Sequence, residues 1–171
     1  MVEWSLDVLR EVCDRVVVAV PPDRVAPPDF VAGGATRSES VRNALDAAPE
    51  ASVVVVHDAA RPLVTVELVR RCVDALEEGY DGVIAAIPVT DTVKEVEHGE
   101  VVRTPDRGRL WAAQTPQVFR ADVLRRASGE ATDDASLIEA IGGRVRVVEG
   151  TPENLKVTTA LDVRIAETLL C

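Results

Sequence analysis

Long apolar runs are missing from this chain. The longest, such as Val16 to Val20 and Val53 to Val56, fall far short of the ~20 residues that a membrane-crossing helix needs. No basic stretch followed by a long apolar one opens the sequence, so a secretory signal is not expected. Cysteine is scarce and odd in number: Cys13, Cys72 and Cys171, with no CxxC and no histidine at metal-ligand spacing. A disulfide framework or a structural zinc site is therefore not expected, and Cys13 and Cys72 read as small apolar core residues. Positive charge is also short. Nineteen Lys plus Arg against 29 Asp plus Glu leave a net charge of −10, which repels nucleic acid and anionic membrane surfaces. A small anionic ligand is not excluded, because a few converging cations can make a local positive pocket. Internal repeats and low-complexity segments are absent too. What is present, 47% hydrophobic and 28% charged residues in 171, suffices for one core and reads as a single cytoplasmic globular domain.

The chain alternates helix-like and strand-like stretches. Trp4, Val8 and Val12, with Leu9 and Cys13 beside them, give an amphipathic helix at i, i+4 spacing. Val16 to Val20 reads as a buried strand, ended by a loop carrying Pro21, Pro22, Pro27 and Pro28. After Gly33-Gly34, Thr36 or Ser38 can cap a helix running to about Ala48. Ser52 to Val56 is a second buried strand, and Thr65 caps a helix with the stripe Leu68, Val69, Cys72, Val73 and Leu76. Gly82 to Val89 is a third apolar strand. Thr90 to about Gly108 switches to short alternating stretches around His98-Gly99, which predicts a hairpin arm. A return strand over Leu110 to Gln114 follows. Helices are expected near Arg120 to Ala127 and Asp133 to Ile141, a strand over Arg144 to Val148, and a last helix over Thr159 to Leu170. Such alternation predicts a doubly wound, mostly parallel α/β sheet, from which only the arm departs.

Ligands of such sheets bind beyond the carboxyl ends of the strands. Those ends carry Gly33-Gly34, His57 to Arg61 and Asp91-Thr92. Asp58 and Arg61, three residues apart, offer a metal-ligating carboxylate and an anion clamp in one crevice. Equally, Asp58 can cap the next segment and Arg61 can be solvated. His57 reads as a hydrogen-bonded structural residue and His98 as a solvated turn residue. Thr92, Lys94, Arg107, Arg109, Thr115 and Lys156 form a second polar set, which is either a phosphate site or scattered surface cations.

Five motifs, in order, resemble one family. They are Gly33-Gly34-Ala35-Thr36-Arg37-Ser38-Glu39-Ser40-Val41; His57-Asp58-Ala59-Ala60-Arg61-Pro62; Pro88 to Lys94; Leu110-Trp111-Ala112-Ala113-Gln114-Thr115-Pro116-Gln117; and Thr132-Asp133-Asp134-Ala135-Ser136 continued by Val148-Glu149-Gly150 and Asn154-Leu155-Lys156-Val157-Thr158. The family is 2-C-methyl-D-erythritol 4-phosphate cytidylyltransferase, of the non-mevalonate isoprenoid pathway. The resemblance implies a Rossmann-like nucleotidyltransferase that uses CTP, with Mg²⁺ as cofactor. It implies that Asp58, Arg61 and Lys156 are catalytic and that Asp58 also ligates the metal. Gly33, Gly34, Ser40, Asp58 and Ala59 would hold the nucleotide. Arg61, Thr92, Arg107, Thr115 and Lys156 would hold methylerythritol phosphate. It further implies a homodimer whose arm, residues 90–110, carries Thr92 and Arg107 into the partner's site. Members of the family begin with a strand, a glycine-rich loop and a Pro-Lys element, whereas Met1-Val2-Glu3-Trp4 aligns inside a later helix. Ala35 stands where some members have an acidic residue. An amino-terminally truncated domain that binds CTP weakly and turns over little is therefore expected. Two other readings share these loops: a pentitol-phosphate cytidylyltransferase and a catalytically silent dimeric fragment.

Overall fold

Caps and valine clusters set the element boundaries. The computed structural model describes residues 2–25 and 28–170; Pro27 and Cys171, singled out above, lie outside them. The elements are α1 (Val2–Arg10), β1 (Val18–Val20), β2 (Phe30–Ala32), α2 (Arg37–Asp46), β3 (Val53–Val56), α3 (Val66–Leu76), β4 (Gly82–Pro88), β5 (Glu95–Glu97), β6 (Glu100–Arg103), β7 (Trp111–Arg120), α4 (Ala121–Arg126), α5 (Asp134–Ala140), β8 (Val145–Glu149) and α6 (Ala160–Leu170). Thr36, Thr65 and Asp133 each accept the backbone N–H three residues on, at Glu39, Leu68 and Ser136, so α2, α3 and α5 start at their side-chain caps.

The main sheet has the order β3-β7-β4-β8. β4 and β8 run parallel, β3 shares their direction, and β7 runs against both its neighbours. It is thus a mixed sheet of mostly parallel strands. The period-2 alternation of β4 and β7 divides the core between two faces. Val83, Ala85 and Val118 face α3, against Leu68, Cys72 and Leu76. Ile84 and Phe119 face the opposite way, against Leu45 of α2, Val123 and Leu124 of α4 and Ile138 of α5. Helices on both faces make the fold doubly wound. Among the described residues no helix is long and apolar enough to cross a membrane.

Several expectations change in detail. The buried stripe of α1 is Ser5, Leu6 and Leu9, which packs toward Val64 and Val69, while Trp4 is 45% exposed. Helix α1 stops at Arg10, so Val12 and Cys13 follow it as partly buried loop residues. β1 is only half-buried and pairs in parallel with β2, a strand that the proline-rich context conceals. The return strand is twice as long as read, ten residues, and lies between β3 and β4 in the sheet. Cys72 is fully buried in the core, and burial pushes its thiol up to about 12.

The arm is the part with the least support from its own chain. Val89 N–H donates to Leu110 C=O at 3.0 Å and closes its base. β5 and β6 pair antiparallel beyond it, joined through His98 (φ 50°) and Gly99 (φ 87°). Two consecutive left-handed residues are what a two-residue hairpin turn requires, because its twist then matches that of the strands. Val96, Val101 and Val102 are 53%, 59% and 53% exposed.

Candidate active site

The site grows from an irregularity in β7. Ala113 and Gln117 pair with Ala86 and Ile84, so Gln114, Thr115 and Pro116 stand opposite Ala85 alone. Extra residues in one strand bend it and re-aim its side chains, and Pro116 has no N–H to give to the ladder. The end of β3 lies beside this bulge. There the Asp58 N–H donates to Thr115 Oγ1 (3.0 Å), and Thr115 Oγ1 lies 3.0 Å from His57 Nδ1. His57 Nε2 lies 3.1 Å from the Arg61 carbonyl. A carbonyl only accepts, so Nε2 carries the proton and Nδ1 accepts from the threonine hydroxyl. Burial pulls the imidazole pKa down, which favours the neutral ring. His57 is therefore the structural link that was read from the sequence.

Arg61 closes the same loop. Only 9% exposed, it donates to the Asn154 carbonyl at 2.7 Å and the Ala113 carbonyl at 3.4 Å, and its Nε has no partner. Burial lowers its pKa from the ordinary arginine value. Asn154, itself buried, donates to Gln114 Oε1 (3.2 Å) and Thr115 C=O (2.9 Å), so the loop before Lys156 is tied to the bulge. Gln114 in turn reaches the Thr151 carbonyl at 2.9 Å across Gly150, where a Cβ would meet its Oε1 at 2.3 Å. A side chain at position 150 would displace the Gln114 amide from this contact.

Asp58 is the charged centre. Lys156 Nζ is 2.9 Å from Oδ2, and Arg37 Nε is 3.3 Å from Oδ1. Burial alone would raise the Asp58 carboxyl, but these two cations outweigh it and hold the group below the usual carboxylate range. Arg37 also pairs with Asp134 at 2.7 Å. Burial pushes the Asp134 carboxyl up, against the pull of Arg37. Arg37, Asp58, Arg61, Thr115 and Lys156 border one cleft of about 290 Å³, whose far wall includes Thr132 and Asp133.

The structure thus brings Asp58, Arg61, Thr115 and Lys156 together, with Ala59 exposed on the turn between the first two. Gly33, Gly34 and Ser40 form an adjoining cluster, in which the Gly34 N–H donates to Ser40 Oγ at 3.0 Å. Thr92 and Arg107 are not among the residues that border the cleft. Both are exposed at the arm, where Arg107 donates to the Thr90 carbonyl at 2.6 Å. Lys94 likewise bonds Thr104 at 2.8 Å, within the arm. Arg37, Gln114, Gln117, Thr132 and Asp134 were not assigned from sequence. Their motifs were visible, but only the fold brings the first four to the lining of one cleft with Asp58 and sets Asp134 against Arg37.

Asp58, with its two cations, thus lies at the carboxyl end of β3, where doubly wound sheets bind their ligands. The family model described as IspD: 2-C-methyl-D-erythritol 4-phosphate cytidylyltransferase matches residues 1–171. The chain belongs to that family. It is 49% identical to the 2-C-methyl-D-erythritol 4-phosphate cytidylyltransferase of Nocardia farcinica (strain IFM 10152), over 99% of this chain and 81% of that one. It is 46% identical to the enzyme of the same name from Rhodococcus jostii (strain RHA1), over 92% and 75% of the two chains. Its fold matches the crystal structure of the enzyme of that name from Thermus thermophilus with a TM-score of 0.87 at 37% identity, covering 98% of this chain and 86% of that one.

Proposed function

We propose that this cleft joins the phosphate of 2-C-methyl-D-erythritol 4-phosphate to the cytidylyl group of CTP, in the cytoplasm. A phosphate oxygen of the acceptor attacks the α-phosphorus in line, the bond to the β-phosphate oxygen breaks, and pyrophosphate leaves. Alignment and charge neutralisation carry such a step, and no covalent enzyme intermediate is needed. The observation that carries the reading is the Asp58–Lys156 pair at the end of β3, with Arg61 and Thr115 in the same cleft. Lys156, pinned beside Asp58, would hold the acceptor phosphate near the reacting centre. Thr115 and Arg61 would contact the polyol. The Gly33, Gly34 and Ser40 turn presents backbone groups and a small hydroxyl suited to a pyrimidine edge, and the small Ala59 leaves room for the ribose.

Mg²⁺ fits this chain only as a companion of the triphosphate. Among the described residues no three His, Cys, Asp or Glu side chains converge to hold a metal ion. One carboxylate plus substrate phosphates is nonetheless a common Mg²⁺ set, and each Asp58 oxygen keeps a lone pair beyond its cation. Asp58 would hold the ion, which when bound would neutralise charge developing on the phosphates.

The exposed arm supports a homodimer with a composite site. A lone two-stranded hairpin is marginal in water, and its three exposed valines suit a partner surface. Thr92 and Arg107 would then serve the neighbouring cleft. Pyrophosphate release with CTP and methylerythritol phosphate tests the reaction, and mixing Arg107→Ala with Lys156→Ala chains tests the sharing. Recovery of activity in the mixture is expected. No recovery, with mixed dimers confirmed, would place both residues in one subunit's site.

A further inference from the structure

Arg37 is the first residue of α2, where a cation opposes the positive end of the helix dipole. Thr36 already caps that end, so nothing local calls for an arginine. Its side chain instead crosses to two other segments. Nη1 meets Oδ2 of Asp134 at 2.7 Å, and Nε meets Oδ1 of Asp58 at 3.3 Å. The Asp134 side chain is 1% exposed, and Arg37 is its one ion-pair partner among the described residues. A guanidinium is a rigid planar fork, so fixing Nη1 on a buried carboxylate also fixes the direction of Nε. Lys156 takes the other Asp58 oxygen from the loop before α6. An aspartate carboxylate otherwise turns about Cβ–Cγ; two cations on different oxygens, reaching from different segments, stop that rotation.

We infer that Arg37, anchored by Asp134, is a positioning residue that fixes the orientation of the Asp58 carboxylate for cytidylyl transfer. The inference rests on the reading of Asp58 as part of the reacting cleft. It gives the Thr132-Asp133-Asp134 motif a role besides starting α5, and it couples the turn of Gly33, Gly34 and Ser40 mechanically to the end of β3. A lysine at position 37 would supply a point charge without the fork, and so could not hold both carboxylates in this geometry.

Steady-state kinetics of the full chain test it, using Arg37→Ala, Arg37→Lys, Asp134→Asn, Asp58→Asn and the Arg37→Ala/Asp58→Asn double variant. Both Arg37 variants should lower kcat about 10- to 100-fold, as expected for a misplaced reacting group. KM for either substrate should stay within about threefold. Asp134→Asn, nearly isosteric, should lower kcat about 3- to 10-fold by loosening the anchor. Once Asp58 is Asn, losing Arg37 should cost less than about twofold more, because it acts through that carboxylate. A rise in KM with kcat unchanged would make Arg37 a direct ligand contact and overturn the inference. So would a full additional loss in the Asp58→Asn background, which marks a general structural role. If Asp58→Asn alone keeps wild-type kcat, the reading of the cleft is what fails. Independently of turnover, the Arg37 Nε–H should give a resolved, slowly exchanging NMR signal that disappears in Asp134→Asn. Free exchange in the wild-type chain would disprove the anchoring.

Discussion

The cleft and the arm use polar residues in opposite ways. At the cleft, Thr115, Asn154, Gln114 and Arg61 are buried and tie three segments together through bonds to side chains and backbone carbonyls. In the arm, Arg103 pairs with Glu95, and Lys94 with Thr104, in full view of solvent. Buried polar groups are costly unless bonded, and these bonds hold the segments together. They do so even though Arg61 Nε, Gln117 Oε1 and Asn154 Oδ1 have no partner among the described residues. Exposed pairs contribute little. The cleft is therefore organised by its own chain, while the arm has hairpin geometry with its valines left exposed.

Mutations can sharpen that contrast, beginning with the core beneath the cleft. Phe119→Ala removes a fully buried ring that fills the space beside Gly82 and packs on α4 and α5. It should cost about 3–5 kcal/mol of unfolding free energy; Val101→Ala in the arm should stay within about 0.5 kcal/mol. Urea unfolding of both variants measures the difference, and equal losses would mean that the arm is packed after all. At the cleft itself, Lys156→Ala takes one cation from Asp58 and should lower kcat/KM for methylerythritol phosphate by roughly 1.5–3 kcal/mol, tenfold or more, by loss of a charge-assisted bond. Steady-state assays with CTP saturating read this directly.

Arg107→Ala should weaken methylerythritol phosphate binding about tenfold, with the melting temperature unchanged, since the residue is exposed and bonds only a neighbouring carbonyl. Titration calorimetry beside a thermal melt separates the two effects; a large stability loss would give Arg107 a structural part in the arm. The smallest effect concerns Asp162. Its carboxylate accepts the N–H groups of Thr158 and Thr159, at 2.9 and 2.7 Å, while Thr159 Oγ1 accepts the Asp162 N–H. These bonds lower its pKa to about 2. A depressed carboxylate pKa gives stability that is present above the unfolded value near 4 and is lost as pH falls toward 2. The first turn of α6 should loosen across that window in the native chain, and Asp162→Asn should flatten the dependence seen by hydrogen exchange.

Much of the fold was legible because caps and hydrophobic periods are local. Thr36, Thr65 and Asp133 sit where their helices begin, and the apolar stretch Gly82 to Val89 could be read as the strand that is β4 (Gly82–Pro88). β2 was hidden, since three residues beside a cluster of prolines carry too weak a period. Trp4 misled because a large apolar side chain suggests burial, whereas Leu6 and Leu9 have the neighbours that cover them.

Of the site, the sequence by itself determined the chemistry on offer: Asp58 and Arg61 on one turn, Thr115 before a proline, Lys156 after Asn154, and an arm around His98-Gly99. Those are matters of residue type and short-range spacing. Only the tertiary structure decided that β7 runs against its neighbours and bulges at Gln114 to Pro116, and that Arg37 and Asp134, far apart in the chain, meet beside Asp58. Such partners are chosen by which helix face packs on which side of the sheet. That choice depends on the whole core, and no local stretch of residues encodes it.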